Sequence, residues 1–214
     1  SVGEFSVDEL DELLKRSGRR WADLPPDLKR ILRNPILAGL YVALPYSSFR
    51  TAPRREYEIF EGFWSRIAAK GRPGDEGIVI ALGGHLIDGG AYPLPRPEWR
   101  DIGLDNDQTF ARLEAAGWLR STEAGEVVFA HDRLLNWAVA KSLLQRFRSK
   151  RLSIPDLGAF LISSSNARSI RRSLNYVAMD IVWMLAAEPT DVGAVGQLVA
   201  ILEDSREFGS YGEN

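Results

Sequence analysis

The sequence contains no cysteine and only two histidines and two methionines in 214 residues. Without cysteine there is no disulfide framework and no thiolate-ligated zinc or iron–sulfur site, and a reducing, intracellular setting is the simpler expectation. A metal site built on His85 or His131 needs carboxylates to complete it, and neither residue stands in an H-E-x-x-H segment or in a histidine pair four residues apart. No G-x-S-x-G elbow occurs, and a Ser-His-Asp arrangement would have to draw on one of the same two histidines. The phosphate-cradling pattern G-x-x-x-x-G-K-[S/T] is also missing. The glycines at 71 and 74, 83–84 and 89–90 lack both the lysine and a preceding apolar strand, so hydrolysis of ATP by a P-loop is not expected of this chain alone. Long apolar runs are scarce as well: Ile78–Leu82 and Val177–Ala187 are too short or too interrupted to cross a bilayer. The first residues show no basic-then-apolar targeting pattern. These absences lead to the expectation of a soluble, cytoplasmic protein with no membrane partner and no catalytic or metal-binding residues.

What remains is a globular composition, 45% hydrophobic, 26% charged and 10% aromatic, with a formal net charge of −2. A chain of this length buries a substantial core and divides into one to three compact units. Its punctuation predicts mostly helices. Ser6-Val7-Asp8-Glu9 is a capping box that opens a helix to Arg16, and Gly18 ends it. Pro25-Pro26 opens a second helix to Arg33, and Asn34-Pro35 restarts the chain as a third through Leu44. From Glu56 to Lys70, Tyr57, Phe60, Trp64 and Ile67 fall at spacings of three and four, the signature of one buried helix face. A break follows at Gly71–Gly74.

Beyond it the pattern predicts a helix over Glu76–Ile87, a Gly- and Pro-rich loop over Gly89–Pro97, and a helix over Asp107–Ala116. A hairpin then runs from Gly117-Trp118-Leu119-Arg120 through a turn at Ala124-Gly125 to Val127-Val128-Phe129. This is the order of a winged helix-turn-helix. A long helix over His131–Arg148 follows, with Leu134, Leu135, Ala138, Leu143 and Leu144 on its buried side. Three further helices, over Ile154–Ser163, Ser169–Ala187 and Val192–Glu203, suit the start of a helical solenoid, although no sequence repeat is measurable among them. The fold expected is therefore mainly α: a small helical domain (1–72), a winged helix with a small β-hairpin (73–150) and a helical array (151–214).

Two local motifs carry a resemblance. Phe129-Ala130-His131-Asp132 leads from the second wing strand into a helix that continues Trp137-Ala138-Val139-Ala140. Upstream stand Leu24-Pro25, Leu28, Ile31-Leu32 and Asn34-Pro35-Ile36-Leu37. The first segment resembles the F-x-H, or M-H-D, junction of NACHT-like STAND NTPases. The second is similar to the l-nP-l-L signature of the small helical domain in that family. Both stand in the family's order with a winged-helix pattern between them, and together the resemblance covers roughly residues 5 to 150. Ala130 stands where the M-H-D version has Met, and Trp137 where Phe is more usual.

The resemblance implies that Pro35 packs beside the adenine and that His131 reaches the β-phosphate of bound ADP, with Asp132 holding the junction. It implies an ATPase core upstream in the same chain as the partner of this segment. ADP or ATP would bind only together with that core, and self-assembly would follow activation. A histidine at a helix N-terminus suits such a contact, because the free N–H groups and the dipole already favour an anion and an imidazole N–H adds a donor. The plainer readings are that His131 is a local cap and Pro35 a helix-start proline.

A free-standing winged helix that binds DNA or a protein is the alternative function. For DNA, the helix over Asp107–Ala116 should offer cations or amides to base edges. From Gly74 to Ala130, however, ten acidic residues face four basic ones, Arg96, Arg100, Arg112 and Arg120, and a nucleic-acid partner is not expected. Later, Lys141, Arg146, Arg148, Lys150, Arg151, Arg168, Arg171 and Arg172 are opposed only by Asp156. Such a stretch reads as a solvated face before it reads as a binding surface.

Overall fold

The computed structural model describes residues 4–45, 52–70, 72, 74–104, 107–163 and 174–205. It is mainly α-helical with one small two-stranded antiparallel sheet. The chain divides into two compact units, Ser1–Arg72 and Pro73–Asn214.

In the first unit the capping signals set the helix starts. Ser6 Oγ accepts from Glu9 N at 3.3 Å while Glu9 Oε2 accepts from Ser6 N at 2.8 Å, which satisfies two of the free amides of α1 (Val7–Arg16). Helix α2 (Pro26–Ile31) starts on its own proline. Helix α3 (Pro35–Ala43) is capped by Asn34, whose Oδ1 accepts from Ile36 N at 3.0 Å. Helix α4 (Glu56–Lys70) buries Ile59, Phe60, Phe63 and Trp64, a stripe centred on the expected Phe60 and Trp64. Tyr57 is half-buried, and the side chain of Ile67 lies outside the described residues. Arg19 is 6% exposed. Its guanidinium donates to the carbonyls of Tyr41 and Leu44 at 3.1 and 2.6 Å and lies 4.5 Å from the Tyr41 ring centroid. A cation there satisfies carbonyls that the end of α3 leaves open.

In the second unit, helix α5 (Asp75–Ile87) is followed by a segment that is not a plain loop. Leu94 exchanges two backbone hydrogen bonds with Val127, both 2.9 Å, and a 3₁₀ turn then runs over Arg96–Ile102. Helix α6 (Asp107–Ala115) leads into β1 (Leu119–Ser121) and β2 (Val127–Phe129). The strands pair Leu119 with Phe129 and Ser121 with Val127. Helix, bridging residue, helical turn, helix and hairpin is the element order of a winged helix. Strand β2 has partners on both edges, Leu94 on one and β1 on the other, and all three of its residues are buried.

Helix α7 (Asp132–Arg148) is the centre of this unit, and α8 (Ile154–Ile162), α9 (Leu174–Ala186) and α10 (Val192–Glu203) follow it. The expected buried side of α7 is found, but Asn136, Trp137, Val139, Ala140 and Ser142 are buried too. The helix packs on α5, α8, α9 and β2, and a helix covered on several sides carries no simple stripe. Where α5 crosses it, a Cβ added to Gly83 would lie 2.5 Å from the carbonyl oxygen of Ala138. Glycine at 83 is what lets these two backbones approach. The expected start of the α9 helix at Ser169 lies outside the described residues, as do Arg168, Arg171 and Arg172. Among the described residues no single helix is long and apolar enough to cross a membrane.

Candidate functional site

The junction between β2 and α7 is built by local hydrogen bonding. Phe129 N donates to the Tyr92 hydroxyl at 3.1 Å and Ala130 N to the Trp118 carbonyl at 2.9 Å, which fixes the chain entering the helix. His131 is the N-cap of α7, extended at φ −153° and ψ 147°. Its Nδ1 accepts from Arg133 N at 3.0 Å. A neutral imidazole that accepts at Nδ1 carries its proton on Nε2, so the geometry assigns this tautomer. Burial pushes the His131 pKa below the usual histidine value; Asp132 opposes that shift and Arg133 adds to it. The ring is thus held neutral, with a hydrogen-bond donor at Nε2 beside the free amides of a 17-residue helix. Such an end favours an anion.

Asp132 lies in the first turn of α7 and is exposed. Among the described residues no hydrogen bond or ion pair reaches its carboxylate. The side chain that clasps this junction is the next one. Arg133 makes a two-point ion pair with Asp180 of α9, at 3.0 and 3.2 Å, and its guanidinium carbon lies 4.5 Å from the Tyr176 ring centroid. The two side chains are 11% and 4% exposed. Nothing in the sequence pairs an arginine with an aspartate 47 positions away; the only local hint is that Asp180 is the one charged residue of α9.

Pro35 belongs to the first unit, at the first position of α3, and is half-buried. The ring needs no amide partner there, and Asn34 supplies the cap that proline cannot. Its local geometry is thus that of a helix-start proline, and that of His131 is a cap whose Nε2 makes no hydrogen bond among the described residues.

The helix that would read DNA is α6. Its exposed residues are Asp107, Gln108, Ala111, Glu114 and Ala115. Its one cation, Arg112, is turned back onto buried Asp75 at 2.7 and 3.1 Å, and Arg96 pairs with Asp107 at 2.9 Å. In the later basic stretch, Arg146 is bound to Asp88 and Arg148 to Asp191, while Lys141 lies over the Trp137 ring at 5.2 Å. Among the described residues no group of three or more His, Asp or Glu could hold a metal ion.

The chain matches no family model, no curated protein and no solved structure.

Proposed function

We propose that this chain is a regulatory and oligomerisation segment of a NACHT-like STAND NTPase, which holds an upstream ATPase core in the ADP-bound, closed state. In this reading the segment is not itself an enzyme. The upstream core supplies the P-loop, and His131 supplies a contact that the ADP form keeps and the ATP form releases. Pro35 borders the adenine. The protein works in the cytoplasm, and release of the contact exposes surfaces for self-assembly. The observation that carries the reading is the state of His131: capped through Nδ1, kept neutral by burial, and offering Nε2–H at a helix N-terminus. The motif resemblance supplies the ligand. The DNA-binding alternative finds less support, because the exposed face of α6 has two carboxylates and no free cation.

The test separates the cap from the contact. In the full-length parent protein, His131→Asn keeps an oxygen that accepts from Arg133 N but has no donor at the Nε2 position, whereas His131→Ala loses both. Faster ADP release and ligand-independent assembly in both variants are expected. ADP retention in His131→Asn equal to wild type would leave His131 as a cap and remove the support for the nucleotide reading.

A further inference from the structure

His85 is the histidine that the β2–α7 junction does not use. It stands in the last turn of α5, and two contacts hold its side chain. Gly90 N donates to the His85 carbonyl at 2.8 Å, and the ring lies so close against Gly90 that a Cβ added there would collide with Nε2, Cδ2 and Cε1. Glycine at 90 is what lets the chain leaving α5 turn back against the ring. Glu98, in the first turn of the 3₁₀ segment, brings its Oε2 to 3.3 Å from Nε2.

That second contact is close but is not a hydrogen bond, and Nε2 is buried without a hydrogen-bond partner. A polar atom in this state keeps the cost of its lost hydration. Coulomb attraction does not require the alignment that a hydrogen bond requires. A proton taken up by the ring therefore turns the same contact into an ion pair, and histidine is the side chain whose charge changes between about pH 5 and 8.

The surroundings favour a cationic ring. Besides Glu98, α5 contributes Asp88, the 3₁₀ segment Asp101, α7 Arg146 and the turn after α7 Arg151. Arg146 is consumed by Asp88 at 2.8 and 2.6 Å; Arg146, and to a lesser extent His85, hold the Asp88 carboxyl below the usual carboxylate range. On the 3₁₀ segment, Arg96 is paired with Asp107 at 2.9 Å and Arg100 is exposed. The Glu98 carboxylate makes no hydrogen bond among the described residues, so it is open to His85.

We propose that His85 and Glu98 form a pH-operated latch: the neutral ring leaves it open, and protonation closes an ion pair that fastens the 3₁₀ segment to the end of α5. The stretch between them carries Leu94, whose bonds to Val127 cover one edge of β2, and the 3₁₀ segment buries Trp99 and Ile102. Acidification thus tightens the lead into the hairpin. The sign is opposite to that of His131, where protonation removes the acceptor for Arg133 N. A partner gained on protonation adds stability at low pH that is lost as the pH rises, whereas the His131 cap is lost as the pH falls. The latch does not depend on the function proposed above.

The experiment is native-state hydrogen exchange of the whole chain, corrected for the intrinsic pH dependence of exchange. It reads the amides of Gly90 and Leu94, bonded at 2.8 and 2.9 Å. Glu98→Gln keeps the shape of the side chain and removes its charge, and at 35% exposed the position should accept it. The opening constant of Glu98→Gln divided by that of wild type should rise about threefold or more from pH 8 to pH 5. Taking the ratio cancels the change at His131. In a His85→Gln background the same ratio should be flat. A flat ratio with His85 present, or an equal rise without it, would overturn the latch.

Discussion

Removing the carboxylate of Asp180 should unfasten α9 from the start of α7. Asp180 and Arg133 are 4% and 11% exposed and meet through two hydrogen bonds of 3.0 and 3.2 Å. Asp180→Ala leaves the guanidinium buried beside Tyr176 with its main counter-charge gone, and breaking a buried pair in this way costs about 3–5 kcal/mol. Against a total stability of about 5–15 kcal/mol for a domain, that is a large share. Replacing both partners by apolar residues of similar volume, Arg133→Met with Asp180→Leu, removes the stranded charge and should restore most of the loss. The more open pair Arg148–Asp191, 43% and 14% exposed, is the control: Asp191→Ala should cost only about 0–1 kcal/mol. Native-state hydrogen exchange of α7 and α9 amides reads the effect locally and avoids treating the chain as a single two-state system. A loss of less than about 1 kcal/mol for Asp180→Ala, or a double variant no more stable than the single one, would refute the view of this pair as a buried clasp.

Two further outcomes follow from the same unit. Gly83→Ala places a methyl group 2.5 Å from the Ala138 carbonyl oxygen, so α5 and α7 must separate; a loss of about 1–3 kcal/mol by urea unfolding is expected. The lowered pKa of His131 makes the folded state bind its proton less readily than the unfolded chain. Its contribution to stability is therefore full above the ordinary histidine value near 6.5 and declines as the pH falls through the lowered folded value. Protonation also removes Nδ1 as the acceptor for Arg133 N. Unfolding curves at pH 7.5 and below should diverge more for wild type than for His131→Asn, and an NMR titration of the His131 ring should give a midpoint below that of a free histidine.

Much of the helical framework was legible in the sequence because its signals act within a turn or two. The Ser6–Glu9 box, Pro26 and Asn34-Pro35 each satisfy or remove amides that a helix start leaves open, so the starts of α1, α2 and α3 are local facts. The hairpin around Gly125, at φ +77°, is local for the same reason. The segment before α6 was less legible: the bond pair between Leu94 and Val127 spans the whole of α6 and β1, and no periodicity marks a single bridging residue. His131 was found as a candidate from its motif, but its tautomer follows from the bond that Arg133 N makes to Nδ1.

Packing decided the rest. Arg133 has no marked role in the sequence until α9 brings Asp180 to it. Arg112 and Arg146, which the sequence offers as surface cations, are consumed by Asp75 and Asp88. Gly84 and Ser142 come together where Gly83 lets α5 and α7 close on each other. Local sequence determines where amides and carbonyls are satisfied and which face of a helix is apolar. Which charges are neutralised, and which polar groups are left open, depends on residues brought together from distant parts of the chain, and only the tertiary structure decides that.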